Sequence, residues 1–238
     1  MNVGAFGFIP FREANGTFSN ISVDATGTGS GRPFKTNSSS HNTFNNISVN
    51  RSEAAYYQGI TLEYFSHHNV WNTCKVTNNV GSPNNSGIAL YGDVSNGNNQ
   101  GSNHYNTFNN CTVTGNAGFA IWVSDNNNNI EINGGTYIGV AGQYVIAFDD
   151  SSPCCSNSAY IHNANIGGPG SIGIYIENGS KNACINNNSF GSGLSSGIYV
   201  TDASDIGTGN IMSGMSSNLN AGTCAPPSVP ANGASPAP

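Results

Sequence analysis

The stretch FNNISV at residues 44–49 is one of seven related copies of a six-residue motif in this chain. Each copy has an apolar first residue, an apolar last residue, and asparagine, threonine or glycine at the third position. The copies begin at Phe18, Phe44, Trp71, Phe108, Ile132, Ile161 and Ile185, so successive starts are 26, 27, 37, 24, 29 and 24 residues apart. A period of this size, within about 20–50 residues, indicates a solenoid whose units bury their apolar faces on one another.

A second strand-like segment lies between successive copies of the motif. It is often led by glycine, as in GITLEY, GIALYGD, AIWVSD, VIAFDD, GIYIEN and GIYVTD, which begin at residues 59, 87, 120, 145, 173 and 197. Both kinds of segment alternate apolar and polar residues, which is the β period, and turns rich in Asn, Gly and Ser separate them. Each coil therefore carries at least two strands, and strands of successive coils are expected to pair in parallel about 4.8 Å apart.

This coil period with an asparagine-bearing turn resembles the right-handed parallel β-helix family, which includes pectate-lyase-like and phage tailspike-like proteins. The resemblance covers roughly residues 15–212. It implies an all-β fold, a right-handed parallel β-helix solenoid of about seven coils. We expect residues 1–14 to form an N-terminal cap and residues 213–238, rich in Pro, Ala and Ser, to form a flexible tail.

Composition restricts the partners. Six Lys and Arg against twelve Asp and Glu give a net charge of −6, which argues against nucleic acid as a partner. No apolar run reaches the length of about 18 residues that a membrane span needs. The start MNVGAFGFIPFRE lacks the features of a signal peptide. The low charged fraction of 8% and the abundance of Ser, Thr and Asn still favour an extracellular or virion-associated protein.

Asparagine at the third motif position is expected to form a structural ladder, because stacked amides can share hydrogen bonds along the solenoid. The cysteines leave alternatives open. Cys74 and Cys111 share the inward fourth motif position in adjacent coils, so two free core thiols are favoured over a disulfide that their spacing would also permit. Cys154 or Cys155 could reach Cys184.

No metal site is predicted, because the chain has no CxxC spacing and its histidines are dispersed in the sequence. The residues concerned, interpreted as surface histidines, are His67, His68, His104 and His162.

A candidate site follows from the alternation in the second segment. Residues such as Ile60 and Leu62 point inward, and an outward face collects aromatic and acidic residues. The aromatic residues, candidates for substrate binding, are Tyr91, Trp122, Tyr175 and Tyr199, and the candidate catalytic carboxylates are Asp125, Asp149, Asp150 and Glu177. Aromatic faces stack on sugar rings, and paired carboxylates perform acid–base chemistry when closeness raises one pKa. Carboxyl groups on adjacent coils are expected about 4.8 Å apart, and those on alternate coils about 9–10 Å apart. These distances approximate the carboxyl separations of retaining and inverting glycosidases, respectively.

We therefore predict an extracellular, glycan-interacting protein with polysaccharide as its partner and glycosidic hydrolysis as its reaction, if it is an enzyme. The carboxylates could instead bind sugar hydroxyls or Ca²⁺, whose usual ligands are carboxylate and carbonyl oxygens, or serve turns by local hydrogen bonding. No other cofactor is expected. The competing interpretation is a non-catalytic structural solenoid: a virion fibre, an adhesin or a filament subunit, assembled as a trimer or filament.

Overall fold

The computed structural model describes residues 6–25, 32–52, 58–79, 86–91, 103–124, 127–149, 158–169, 171–177, 183–200, 205–215, 217, 222 and 224. Within these residues the chain forms 24 β-strands, arranged in three parallel eight-stranded sheets, and no helix. The predicted all-β parallel solenoid is therefore confirmed. No helix in the described part of the chain has the length and apolar character to cross a membrane.

Sheet 1 holds the second segment of each coil. Its strands are β1 (Phe6–Phe8), β4 (Arg32–Asn37), β7 (Ile60–Glu63), β10 (Ile88–Tyr91), β13 (Ile121–Ser124), β16 (Tyr144–Asp149), β19 (Ile172–Ile176) and β22 (Ser196–Val200). β1 lies within the segment predicted as a cap and pairs in parallel with β4, so sheet 1 already begins there.

Sheets 2 and 3 share the six-residue motif, which turns a corner in its middle. Sheet 2 contains β2 (Thr17–Ser19), β5 (Thr43–Asn45), β8 (Val70–Asn72), β11 (Thr107–Asn109), β14 (Ile130–Asn133), β17 (Ala159–His162), β20 (Cys184–Asn186) and β23 (Asp205–Ile206). Sheet 3 contains β3 (Ser22–Ala25), β6 (Ser48–Ser52), β9 (Lys75–Asn79), β12 (Thr112–Thr114), β15 (Thr136–Ile138), β18 (Asn165–Gly167), β21 (Ser189–Phe190) and β24 (Ile211–Met212).

The eight strands of each sheet define eight coils in the described residues, close to the predicted number of about seven. The additional coil contains a variant of the motif. Ile185 pairs with Ile206, but Ser189 pairs with Ile211, so the last copy carries one extra residue between its two strands. Because of the extra residue, the last copy does not fit the six-residue pattern.

The core consists of columns of apolar residues, one from each coil. The first motif position forms an aromatic stack in which Phe18, Phe44, Trp71 and Phe108 follow one another with ring centroids 5.1, 4.1 and 6.0 Å apart. The inward residues predicted for sheet 1 are buried as expected, including Ile60, Leu62, Ile88, Leu90, Ile121, Val123, Ile146 and Phe148. Parallel stacking of the coils in register thus gives each core residue a similar neighbour in the adjacent coil.

The third motif position has a backbone role. Every copy adopts a left-handed conformation there, with φ between 52° and 66°, at Asn20, Asn46, Thr73, Asn110, Gly134, Asn163 and Asn187. Asparagine and glycine tolerate this conformation better than other residues, which explains their recurrence at the corner between sheets 2 and 3.

The longer asparagine ladder lies one position earlier, which corrects the expectation for the third position. The side-chain amides of Asn72, Asn109 and Asn133 donate to the carbonyl oxygens of Asn45, Asn72 and Asn109, respectively, at 2.9–3.1 Å. In the third-position column, Asn46 donates to Asn20 at 2.8 Å.

Thr73 is the β-branched exception in the left-handed column, and it is exposed. We expect Thr73→Asn to raise the free energy of unfolding by about 1 kcal/mol, because a β-branched residue is strained at positive φ. Chemical denaturation measures the change. Thr136→Asn, in a strand of sheet 3, is the matched control and should give no gain. A gain of equal size in both variants would contradict the backbone explanation.

The cysteines are paired in a way that only partly follows the sequence. Cys74 and Cys111 form a disulfide with their Cα atoms 4.4 Å apart, so the preference for free core thiols is wrong. Their shared column in adjacent coils brings the two sulfur atoms within bonding distance. Cys184 is bonded to Cys224, which lies beside the last coil. Cys154 and Cys155, either of which the sequence would allow to reach Cys184, lie outside the described residues.

Candidate functional site

The outward face of sheet 1 carries a pocket of about 180 Å³ in coils five to seven. Its lining residues are Phe119, Tyr144, Ala147, Asp149, Tyr175 and Glu177. Nearer the N-terminus the same face is closed, since the outward residues Thr61, Glu63 and Ala89 are themselves buried. The accessible part of the face therefore contains Asp149, Glu177 and the aromatic residues beside them.

The pocket contains a pair of carboxyl groups from neighbouring coils. Asp149 ends β16 and Glu177 directly follows β19. The register pairs Phe148 with Ile176, and the Glu177 backbone N–H donates to the Phe148 carbonyl at 2.9 Å. The two side chains therefore leave the sheet on the same face, one coil apart, and they hydrogen-bond to each other.

This pair holds a proton more tightly than an isolated carboxyl group. Burial raises the pKa of Asp149 to about 6, and the hydrogen bond and negative charge of Glu177 contribute to the rise. The indole N–H of Trp122 points toward Asp149 and opposes the rise, although it does not reach the geometry of a full hydrogen bond. Near neutral pH the pocket can therefore supply a proton donor and a carboxylate side by side.

An aromatic ladder runs past the carboxyl pair along the solenoid. Phe119 stacks on Tyr144 at 6.1 Å, Tyr144 on Tyr175 at 4.1 Å and Tyr175 on Tyr199 at 5.9 Å between ring centroids. Because the two central rings cover each other's faces, they offer a ligand their edges and hydroxyl groups. Burial and the nearby charge of Glu177 raise the pKa of Tyr175 to about 12, so its phenol stays protonated and able to donate.

The predicted site residues separate into three groups. Asp149, Glu177, Trp122, Tyr175 and Tyr199 lie in or beside the pocket. Tyr91 occupies an earlier coil and is already engaged. Asp125 and Asp150 lie outside the described residues.

Tyr91 belongs to a basic cluster on the same sheet. Gln58 donates to its hydroxyl at 2.5 Å, and the Arg32 guanidinium lies 5.3 Å from its ring centroid. Arg32 and Lys35 both pair with Glu63, the lysine at 2.5 Å. The two cations neutralise the buried Glu63. Trp122 lies in the next coil, and its ring centroid is 5.2 Å from that of Tyr91.

Two pocket residues escape the sequence pattern. Strict alternation would place Tyr144 inward with Ile146 and Phe148, but as the first residue of β16 it stacks on the outward Tyr175. Phe119 precedes β13 and has no place in the alternation. Their position at the entrance of a strand, where alternation is weakly enforced, explains why the pattern misses them.

The histidines also depart from the sequence interpretation. Among the described residues, one group of three or more potential metal ligands converges, namely His41, His67 and His68. The description of the chain's histidines as dispersed is therefore wrong for this part of the molecule. A usable signal exists: His41 and His68 each lie three residues before a motif start, at Phe44 and Trp71.

No protein-family model matches this chain, and neither a curated protein nor a solved structure matches it significantly.

The raised pKa of Asp149 predicts a pH-dependent stability. The folded state holds the proton more tightly than the unfolded chain, whose aspartate keeps the ordinary value of 3.8. The stabilising contribution is therefore present below that value and is lost as the pH rises through about 6. We expect the wild-type protein to lose free energy of unfolding between about pH 3.8 and 6 relative to Asp149→Asn, as measured by chemical denaturation. Parallel pH profiles for the two proteins would contradict the shift.

Proposed function

We propose that this chain binds a neutral polysaccharide along the outer face of sheet 1 and hydrolyses a glycosidic bond at Asp149 and Glu177. The observation that carries the proposal is the hydrogen-bonded carboxyl pair in an accessible, aromatic-lined pocket. Glycoside hydrolysis requires one protonated and one ionised carboxyl group flanking the bond. A pair with one pKa near neutrality meets that requirement without any further group.

The two carboxyl groups come from adjacent coils, and a sugar that enters between them would open their hydrogen bond; this placement favours retention of configuration. Adjacent coils lie about 4.8 Å apart, nearer to the roughly 5–5.5 Å of retaining enzymes than to the wider spacing of inverting ones. In the first step protonated Asp149 gives its proton to the glycosidic oxygen as the bond to the leaving sugar breaks. A carboxylate oxygen of Glu177 bonds to the anomeric carbon. In the second step Asp149 takes a proton from water, the water oxygen bonds to the anomeric carbon, and the bond from that carbon to Glu177 breaks. The sugar is released, Asp149 is again protonated and Glu177 is again ionised.

The surroundings of the pair suggest how the substrate is held. The ladder from Phe119 to Tyr199 crosses four coils, about 14 Å along the solenoid axis, so a sugar chain would lie along the axis. The tyrosine hydroxyls suit sugar hydroxyls as hydrogen-bonding partners. Two carboxyl groups and no described cation line the pocket, which disfavours a polyanionic substrate.

The other expectations from the sequence fit the same proposal. A polysaccharide partner agrees with an extracellular or virion-associated location. Ca²⁺ is the alternative occupant of the carboxyl pair. Each assay is therefore repeated with a chelator, which would abolish binding or activity if Ca²⁺ were required. A trimer or filament would repeat the face without changing its chemistry.

Affinity electrophoresis, which measures binding to each of a panel of neutral and acidic polysaccharides, tests the binding part of the proposal. We expect retardation by a neutral polysaccharide and loss of affinity of about tenfold or more in Tyr175→Ala. Tyr160→Ala is the matched control, since Tyr160 lies on sheet 2 and stacks on His162 at 3.9 Å. Absence of binding across the panel, with trimers or filaments in sedimentation, would instead support the structural solenoid.

A further inference from the structure

Four histidines meet at the turns that connect sheet 1 to sheet 2 in coils two to four, away from the carboxyl pocket. His41 stacks on His68 with centroids 4.7 Å apart, and His67 stacks on His104 at 4.8 Å. Each stack joins residues at equivalent positions of successive coils. The His41 and His68 backbone N–H groups donate to the carbonyls of His67 and His104 at 3.1 and 3.0 Å. The coil stacking thus fixes the backbone from which these imidazoles project.

We propose that His41, His67 and His68 form a binding site for one divalent transition-metal ion of the zinc, copper or nickel class. One ring nitrogen from each of the three residues lies within 4.8 Å of the other two, and the Nδ1 atoms of His67 and His68 are 2.9 Å apart. Nitrogens bound to one tetrahedral Zn²⁺ at about 2.0–2.1 Å lie about 3.3 Å apart. Modest rotation of half-buried rings would therefore bring all three to a common ion.

The donor set indicates the kind of ion. All three ligands are imidazoles, which suit zinc, copper and nickel and are poor ligands for Ca²⁺ or Mg²⁺. Three ligands leave one tetrahedral position for water or a further ligand. Burial and the neighbouring histidines lower the pKa of His67 to about 4 and also lower that of His68, so both rings are in the neutral form that binds metal at neutral pH.

The fold offers a substitution that removes the imidazoles and keeps the turn. His41 and His68 both have positive φ, 56° and 53°, and the equivalent positions in the first and fifth coils are Asn15 and Asn129, with φ of 60° and 55°. Asparagine is therefore already the residue of this turn elsewhere in the solenoid. We expect the double variant His41→Asn/His68→Asn to fold like the wild type.

Calorimetric titration of the full chain with Zn²⁺, after treatment with a chelator, tests the site. Wild type is expected to bind one Zn²⁺, and the double variant to bind it at least about 100-fold more weakly with an unchanged circular dichroism spectrum. Co²⁺ should give the visible absorption of nitrogen coordination in wild type alone. His162→Asn, which removes the histidine paired with Glu131 on sheet 2, is the control and should bind normally. Absence of binding in wild type, or equal affinity in the double variant, would overturn the proposal.

Discussion

Asp149→Asn is expected to lower hydrolysis of a neutral polysaccharide by about a thousandfold, because the variant loses the proton donor and keeps the size of the side chain. kcat/KM from the release of reducing ends measures the loss. Binding by affinity electrophoresis should change little, which separates a catalytic from a structural effect. Glu177→Gln should lose a similar factor, since both steps of the proposed reaction need the pair.

The control for this series is Glu131→Gln. Glu131 is a carboxylate of sheet 2 outside the pocket, where it accepts a hydrogen bond from Thr107 and contacts His162. Its variant should keep full activity. Activity that survives in Asp149→Asn, or that falls equally in the control, would contradict the assignment of acid–base chemistry to this pocket.

Trp71→Ala is expected to give the largest loss of stability, about 3–5 kcal/mol in the free energy of unfolding. The indole is fully buried, stacks on Phe44 at 4.1 Å and meets the edge of Phe34 at 5.2 Å. Removing the indole leaves a cavity in the aromatic column. The cavity cannot close, because β8 is hydrogen-bonded to β5 on one side and to β11 on the other. Urea denaturation followed by circular dichroism measures the change.

Trp71→Phe provides the matched comparison. The Trp71 indole nitrogen is buried without a hydrogen-bond partner, so phenylalanine removes an unsatisfied donor while it keeps an aromatic ring between Phe44 and Phe108. We expect its cost to be about 1–2 kcal/mol, well below that of alanine. Equal costs for the two variants would show that ring stacking in this column contributes little.

The solenoid could be predicted because every coil repeats the same physical requirement. An apolar residue must point inward at the same place in each coil, so Phe44, Trp71 and Phe108 recur in register and sheet 1 alternates as expected. The outward column also follows from alternation, which is why Asp149, Glu177 and Tyr175 can be predicted from the sequence to share one face.

Features that depend on the turns were harder to predict. The corner at Asn46 splits one motif between two sheets, and six residues of alternation cannot reveal a change of direction. The histidine group joins residues 27 and 37 positions apart, His41 with His68 and His67 with His104, and the unequal separations hide their alignment. Their alignment becomes visible only relative to the motif starts, because His41 and His68 lie three residues before a start and His67 and His104 lie four residues before one.

The most direct test of the carboxyl pair is a ¹³C NMR titration of the Asp149 carboxyl group in wild type and in Glu177→Gln. We expect a pKa of about 6 for Asp149 in wild type. In the variant the pKa should fall toward its ordinary value of 3.8 without reaching it, because the burial that is the largest cause of the shift remains. An Asp149 that titrates near 3.8 in wild type, unchanged by Glu177→Gln, would contradict the proton-sharing pair on which the proposed function depends.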